Sequence, residues 1–379
     1  MTRARTEQRV LVLVTLALVA FGLVMVFSVT SAPAALGNGD PMTYLVKQAL
    51  YACAGLVLLA LLSRFDYHRL RRLAPLLLVC ALGLCAAVLL VAPPINGARR
   101  WFVLGPFGLQ PSELAKVALC VWAAARLSRR PAPRTLAELA KPIGLVTCLF
   151  CALVLLEPDL GTTIALALTV GGVLLVSAVP GRLMLLATTL AIGLGSAAIW
   201  AEPYRRARFF SFLHPTADPQ GAGYQIRQAM IAIGSGGITG DGLGHGVGKI
   251  NYLPEAHTDM IVATIGEELG LVGLTLLVAA FVSFAWAGFR VALTCRDAFG
   301  KRLAAGLTTL VCGQALVNLA AVLGIAPLTG IPLPFVSYGG SSLVALLGAV
   351  GVLLNIAVNE RVVEARVRDR RRRDGRARA

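Results

Sequence analysis

Apolar runs close to the ~20 residues that a helix needs to cross a bilayer recur from one end of the chain to the other. Ten are readable, at 10–30, 44–63, 73–92, 112–127, 143–156, 162–179, 183–200, 260–289, 303–325 and 335–358. Hydrocarbon offers backbone N–H and C=O groups no partner, so runs of this length are expected as helices that pair those groups internally. The expectation is an all-α integral membrane protein with about ten transmembrane helices. Composition agrees: 57% of the 379 residues are hydrophobic and 14% charged, where a soluble domain carries about 25% charged residues. The first run imitates a secretory signal, with arginines before it and Ala32-Pro33-Ala34 after it. It is longer than the roughly 7–15 apolar residues of such a signal, so it reads as an uncleaved first span.

The net charge of +16 raises nucleic acid as a partner, but the distribution of the charge excludes that class. With the N-terminus inside, the inner segments collect Arg3, Arg5 and Arg9, then Arg64, Arg69, Arg71 and Arg72, then Arg126, Arg129, Arg130, Arg134 and Lys141, then Arg182, Arg290, Arg296, Lys301 and Arg302. This is the positive-inside pattern, and an even number of spans leaves both termini cytoplasmic. Residues 1–360 then form one polytopic membrane domain, and 361–379 a basic, disordered cytoplasmic tail whose Arg370 to Arg373 lie against anionic headgroups. All eight cysteines fall in apolar spans or on the inner side, so no disulfide framework is implied, and Cys148-x-x-Cys151 reads as packing rather than metal ligation.

The outer segments carry the candidate chemistry. Arg99 and Arg100, in Asn96-Gly97-Ala98-Arg99-Arg100-Trp101, run against the charge bias and ask for an anionic partner. Glu113 and Lys116 stand three apart at the outer end of the fourth span, so they share a helix face, either as a surface ion pair or facing a cavity. The fifth run, 143–156, is short for a span and ends in Glu157-Pro158-Asp159-Leu160-Gly161. Asp159 is there either a residue of a broken helix lining a polar cavity or simply a turn residue capping the next helix.

Residues 201–258 are expected as one large extracytoplasmic loop. Within it, 223–237 resembles an amphipathic helix lying on the membrane, with Gln225 and Gln228 on one side, Ile226, Met230 and Ile233 on another, and Ser235 near its end. The glycines at 240, 242, 244, 246 and 248 match neither a dinucleotide fingerprint nor a Walker loop, because Gly248-Lys249 is followed by Ile250. No nucleotide is expected, and these glycines read as sites of close backbone approach or as a pliable loop. The last outer loop, 327–342, holds Ser337 and Tyr338, both able to donate hydrogen bonds to an outer cavity.

The stretch Leu253-Pro254-Glu255-Ala256-His257-Thr258-Asp259 places a carboxylate at the mouth of an apolar run. Such a group is costly without a partner or a task. The plain alternative is that Thr258 or Asp259 caps the helix that follows.

Ala98-Arg99-Arg100-Trp101, Gln110-Pro111-Ser112-Glu113-Leu114-Ala115-Lys116, Pro254 to Asp259, Gly266-Glu267-Glu268-Leu269-Gly270 and Pro332 to Gly340 together resemble the SEDS family of cell-wall polymerases, in that order and over nearly all of 10–360. The first and third of these motifs lean toward the division-type branch, whereas Gly330-Ile331-Pro332-Leu333-Pro334 is also seen in the elongation type. Met260 is a departure, since the family usually has an aromatic there.

The resemblance implies a peptidoglycan glycosyltransferase of the bacterial cytoplasmic (inner) membrane that polymerises lipid II at its outer face during cell division. Its partners would be undecaprenyl-pyrophosphate-linked glycan, a transpeptidase of the class B penicillin-binding type and other divisome proteins. It also implies Asp259 as general base. Arg99, Arg100, Lys116 and Lys249 would then stabilise pyrophosphate, with Glu113, Asp159, Gln228, Ser235, His257, Ser337 and Tyr338 as further substrate-binding candidates. A divalent cation (Mg or Mn) is compatible, with Asp259 as a ligand, but His257 and Asp259 alone are too few to define a metal site. Two other functions suit the same features: a lipid II flippase, and a non-catalytic divisome scaffold.

Overall fold

The computed structural model describes residues 3–35, 41–95, 97–105, 107–214, 222–246, 248 and 253–376. The chain opens with three helices, α1 (Arg3–Ala35), α2 (Pro41–Arg64) and α3 (His68–Val91). A short antiparallel hairpin follows, β1 (Phe102–Leu104) against β2 (Phe107–Leu109), with Phe102 opposite Leu109. Next come α4 (Pro111–Ser128), α5 (Leu136–Leu139), α6 (Leu145–Leu156), α7 (Leu160–Leu175) and α8 (Gly181–Ala201). Two shorter helices, α9 (Pro203–Leu213) and α10 (Ala222–Ser235), precede α11 (Ile261–Thr294), α12 (Ala298–Val322) and α13 (Gly340–Arg376).

Helix boundaries follow local chemistry. Pro111 opens α4, where a missing N–H costs nothing. The Asp159 side chain caps α7 through Thr162 N, and that of Asp297 caps α12 through Gly300 N. Among the described residues eight helices are long and apolar enough to span a membrane. The other two expected spans are also helical: α7 has only 16 residues, and α4 carries Glu113, Lys116 and Arg126 in its 18. The protein is thus an all-α, multi-pass membrane protein.

The structure refines four expectations. The fifth run is not short, because α5, a π-helical turn at Ala140–Gly144 and α6 together form one span, Leu136–Leu156. Nor is the helix broken at membrane depth: 157–159 is a tight turn between the ends of α6 and α7. The segment 201–258 holds the helix expected at 223–237, as α10, and a further helix, α9. The C-terminal segment, expected to be disordered, continues α13 as helix to Arg376.

The core lies between α4, α7, α11, α12 and the first half of α13. Neighbouring backbones approach closely: Gly172 of α7 packs on Thr309 of α12, and Gly306 of α12 on Cys120 of α4 and Val173 of α7. In hydrocarbon, where apolar side chains gain little by leaving lipid, such small-residue contacts supply the packing. By contrast, α8 buries only Leu183 and turns Leu185, Leu190, Ile192 and Leu194 outward, as a lipid-facing helix should.

Candidate active site

Asp259 lies just ahead of α11, but it is not that helix's cap. The boundary residue is Met260, which makes no side-chain capping bond. The turn that presents Asp259 is wound around Glu255, whose carbonyl accepts from the N–H groups of Thr258 (3.1 Å) and Met260 (3.2 Å). Asn318 of α12 then ties three segments together, donating to the carbonyls of Asp259 (2.8 Å) and Ile331 (2.7 Å). Asp259 is 9% exposed, and its carboxylate accepts from Thr258 Oγ1 at 3.3 Å. Burial pushes its pKa up from 3.8 to about 6, against the pull of Arg208 and with a further push from Glu255. A side chain at Gly330 would meet both Arg208 Nη1 (3.8 Å) and Asp259 Oδ2 (4.0 Å), so the two opposite charges face each other across this glycine.

Arg208 lines a cleft with Pro158, Leu160, Tyr204, Arg205 and Thr329. Its guanidinium sits over the Tyr204 ring at 4.9 Å. Arg205 is held at the cleft wall by the carbonyls of Leu155 (2.6 Å) and Ala198 (3.0 Å). Arg100 donates to the carbonyls of Glu157 and Pro158, so it braces the α6–α7 turn. Asp159 is engaged in that turn, accepting from Thr162 N (2.8 Å), Thr162 Oγ1 (2.8 Å) and Gln110 Nε2 (3.2 Å). Of the two sequence readings of Asp159, capping is what the geometry displays. The neighbouring Gly161 lets α7 press onto Thr329 and Ile331, which brings the loop bearing Gly330 against Asp259.

Glu113 and Lys116 form an ion pair of 2.8 Å that is almost fully buried, which removes the surface-pair alternative. His257 and Tyr338 join Tyr44 of α2 in an aromatic group with ring centroids 5.4–5.7 Å apart. Burial pushes the His257 pKa down, against an opposing pull from Glu255. Ser337 turns inward instead of to a cavity, its hydroxyl accepting from Leu333 N at 2.8 Å. Ser235 returns its hydroxyl to Ala232 O at the end of α10, Gln228 is half-buried on α10, and Arg99 is exposed and reaches Leu89 O. Lys249 lies outside the described residues.

Helix α10 packs against α11 rather than lying free on the membrane. Its buried face is Ile226, Ala229 and Ala232, while Met230, expected on that face, is exposed. The segment after it repairs a break in α11. At Gly270 the backbone leaves helical geometry (φ 63°), freeing carbonyls behind it and N–H groups ahead. Asp241 N and Gly242 N donate to the carbonyls of Glu267 and Glu268, and Leu271 N and Val272 N donate to those of Gly237 and Ile238. Gly236 and Gly240 allow this approach, because a Cβ on either would strike the α11 backbone. The buried entry of α11, 261–269, is therefore a separate short helix that carries Asp259 at its head.

Arg208 and Asn318 were not candidates from the sequence, and Gly330 stood out only as part of a family motif. Arg208 had the signal already read at Arg99, a cation on the outer side, and Asn318 had another, a polar side chain inside an apolar span. For a cation, Asp259 has only Glu255 as a neighbouring carboxylate, and the described residues contain no group of three or more His, Cys, Asp or Glu side chains that could hold a metal. Among the described residues a metal held by protein ligands alone does not fit.

A multi-pass helical protein with a buried aspartate opposite an arginine defines a class, and comparison with known proteins agrees with it. Residues 8–362 match the FTSW_RODA_SPOVE family model, described as "Cell cycle protein". The chain is 40% identical to the probable peptidoglycan glycosyltransferase FtsW of Geobacter metallireducens, covering 92% of this chain and 94% of that one. It is 39% identical to the protein of the same name from Mycobacterium tuberculosis, covering 94% and 69%. Among solved structures, it resembles one reported under "Structural coordination of polymerization and crosslinking by a peptidoglycan synthase complex" (TM-score 0.77, 34% identity, 92% and 97% covered). It also resembles the rod shape determining protein RodA of Thermus thermophilus (TM-score 0.68, 32% identity, 92% and 96% covered). The chain belongs to the FtsW/RodA/SpoVE family, the SEDS proteins.

Proposed function

We propose that this chain is a peptidoglycan glycosyltransferase that polymerises lipid II during cell division, at the outer face of the bacterial cytoplasmic membrane, with Asp259 as general base. The observation that carries the reading is Asp259 itself: a buried carboxylate whose pKa of about 6 leaves it ionised yet basic at neutral pH, drawn down by Arg208, which lines a cationic cleft. Relatives named as peptidoglycan glycosyltransferases support the activity, and their shared name FtsW supports the division role over the elongation role.

In the reaction the acceptor sugar's 4-hydroxyl gives its proton to Asp259 as its oxygen attacks the anomeric carbon of the growing strand. A C–O glycosidic bond forms, the bond to the lipid-linked phosphate breaks, and the electron pair leaves with undecaprenyl pyrophosphate. Arg208 and Arg205 line the cleft where that negative charge would develop, and fixed cations in a partly desolvated site stabilise it more than water does. Arg100 serves indirectly, by bracing the turn that forms one cleft wall. The structural neighbour reported as a synthase complex supports a crosslinking partner, of the class B penicillin-binding transpeptidase type, alongside other divisome proteins.

The test is polymerisation of labelled lipid II by purified protein with its cognate transpeptidase. Asp259→Asn at equal folded yield should form no long strands, with a loss of at least about a hundredfold. Normal polymerisation by that variant would end the general-base assignment.

A further inference from the structure

The turn between α6 and α7 holds a carboxyl group that takes no part in the bond-making step. Glu157 is 0% exposed, and among the described residues neither Oε1 nor Oε2 has a hydrogen-bond partner. It is the C-cap of α6, where the helix dipole leaves partial negative charge and opposes an anion. The cations nearby are committed to backbone oxygen instead. Arg100 donates to the carbonyls of Glu157 and Pro158, and Arg205 to that of Leu155, so two arginines close the carbonyl end of α6.

The other groups that face Glu157 do not compensate a charge. Asp159 of the same turn is a second carboxylate, α3 presents the Cys85 thiol, and Gln110 at the head of α4 spends its amide on Asp159. An ionised carboxyl in that position lacks the hydrogen bonds and the ion pair that burial demands. Burial, with Asp159 adding to it and Arg100 opposing it, lifts the Glu157 pKa from 4.5 to about 8. The next residue, Pro158, lines the cleft that holds Arg205 and Arg208. Two donors on that cleft's wall, Arg205 Nε and Thr329 Oγ1, are also buried without partners among the described residues. Unpaired donors beside two guanidiniums favour an anionic ligand.

We propose that Glu157 is a neutral positioning acid that gates this cleft: the pyrophosphate of the lipid-linked substrate binds only while the Glu157 carboxyl keeps its proton. Protonated, it leaves Arg100 on the carbonyls of the turn, and the cleft keeps the full positive charge of Arg205 and Arg208. Ionised, by losing its proton to water, it competes with those carbonyls for Arg100, loosens the cleft wall and repels the incoming anion. Linkage makes the effect reciprocal, so a bound pyrophosphate holds the proton on Glu157 more firmly. The gating of pyrophosphate rests on the polymerase reading, whereas the neutral buried acid does not.

The test is the rate of lipid II polymerisation against substrate concentration, by the full chain with its cognate transpeptidase, at a series of pH values. Wild type should lose at least about tenfold in kcat/KM between about pH 7.5 and pH 9.5, through a rise in KM with kcat on its plateau. Glu157→Gln is neutral at every pH and of the same size, so it should match wild type at about pH 7 and hold its KM to about pH 9.5. An equal rise of KM in both proteins overturns the gate, and so does a wild-type KM that stays flat. Infrared spectroscopy of the wild type keeps the question open to refutation if Glu157→Gln fails to fold. Ordinary carboxyl groups are ionised by about pH 7, so a protonated carboxyl band should remain there and vanish by about pH 9.5. Its absence at the lower pH overturns the neutral acid. If neither protein polymerises at any pH while the band titrates as expected, the polymerase reading and the gate fail and the neutral acid stands.

Discussion

At the residue scale, the outcome turns on how burial and charge share Asp259. A base with a pKa near 6 works where it is ionised, so polymerisation should rise with pH through about 6 and then level off. Arg208 pulls that pKa down, so Arg208→Gln should move the midpoint to higher pH and slow the reaction more at about pH 6.5 than at about pH 8. A pH–rate series on both proteins measures this, and an unmoved midpoint would separate Arg208 from Asp259.

The same residue sets a stability trade. Folding raises the Asp259 pKa from 3.8 to about 6, so the native state favours the neutral form. That contribution is complete below the ordinary carboxylate value and is lost as pH rises through the folded one, costing on the order of 3 kcal/mol at neutral pH. Asp259→Asn should therefore raise Tm at about pH 7.5 while removing activity, and much less so at about pH 4. Lys116 should behave in the opposite way. Lys116→Met strands a buried carboxylate and should cost about 3–5 kcal/mol, whereas pairing it with Glu113→Leu should recover most of that loss in a thermal melt.

At the element scale, α11 is two helices joined by a backbone splice. The four hydrogen bonds between 237–242 and 267–272 replace those lost at Gly270, as any break in a membrane helix requires. Both Gly240 (φ 78°) and Gly270 (φ 63°) hold left-handed geometry with no room for a Cβ. Gly240→Ala should combine strain of about 1–3 kcal/mol with a clash against the α11 backbone, lowering folded yield sharply. Gly244, also at positive φ but with nothing near it, should tolerate alanine better. Size-exclusion yield of the two variants decides, and equal yields would mean the splice contributes little.

At the scale of the whole molecule, the arginine distribution predicts both termini on the cytoplasmic side. A C-terminal fluorescent fusion should be bright and a periplasm-dependent phosphatase fusion at the same place inactive. Much of the architecture was legible beforehand, because a bilayer imposes its length and polarity on every helix separately. Each of the ten apolar runs is helical, and the aspartate at the mouth of the eighth is buried beside a cationic cleft. Such features are local: a run of residues either spans or does not, and a carboxylate at its edge is costly wherever the other helices go.

What depends on non-neighbours was not legible. Arg208 and Asp259 lie 51 positions apart in the sequence and come to flank Gly330, from a third segment, only in the folded chain. Whether Glu113 and Lys116 met water or core depended on where α7 and α12 packed, and spacing along one helix carries no such information. The glycine at 240 read as a site of close approach or a pliable loop, and only the tertiary structure named the backbone it approaches. The sequence determined the membrane class, the helices and the candidate base, because these follow from the free energy of single segments in a bilayer. Tertiary structure alone decided which charges face each other, which are buried and how the broken helix is mended, because those depend on contacts between segments that meet only in the folded chain.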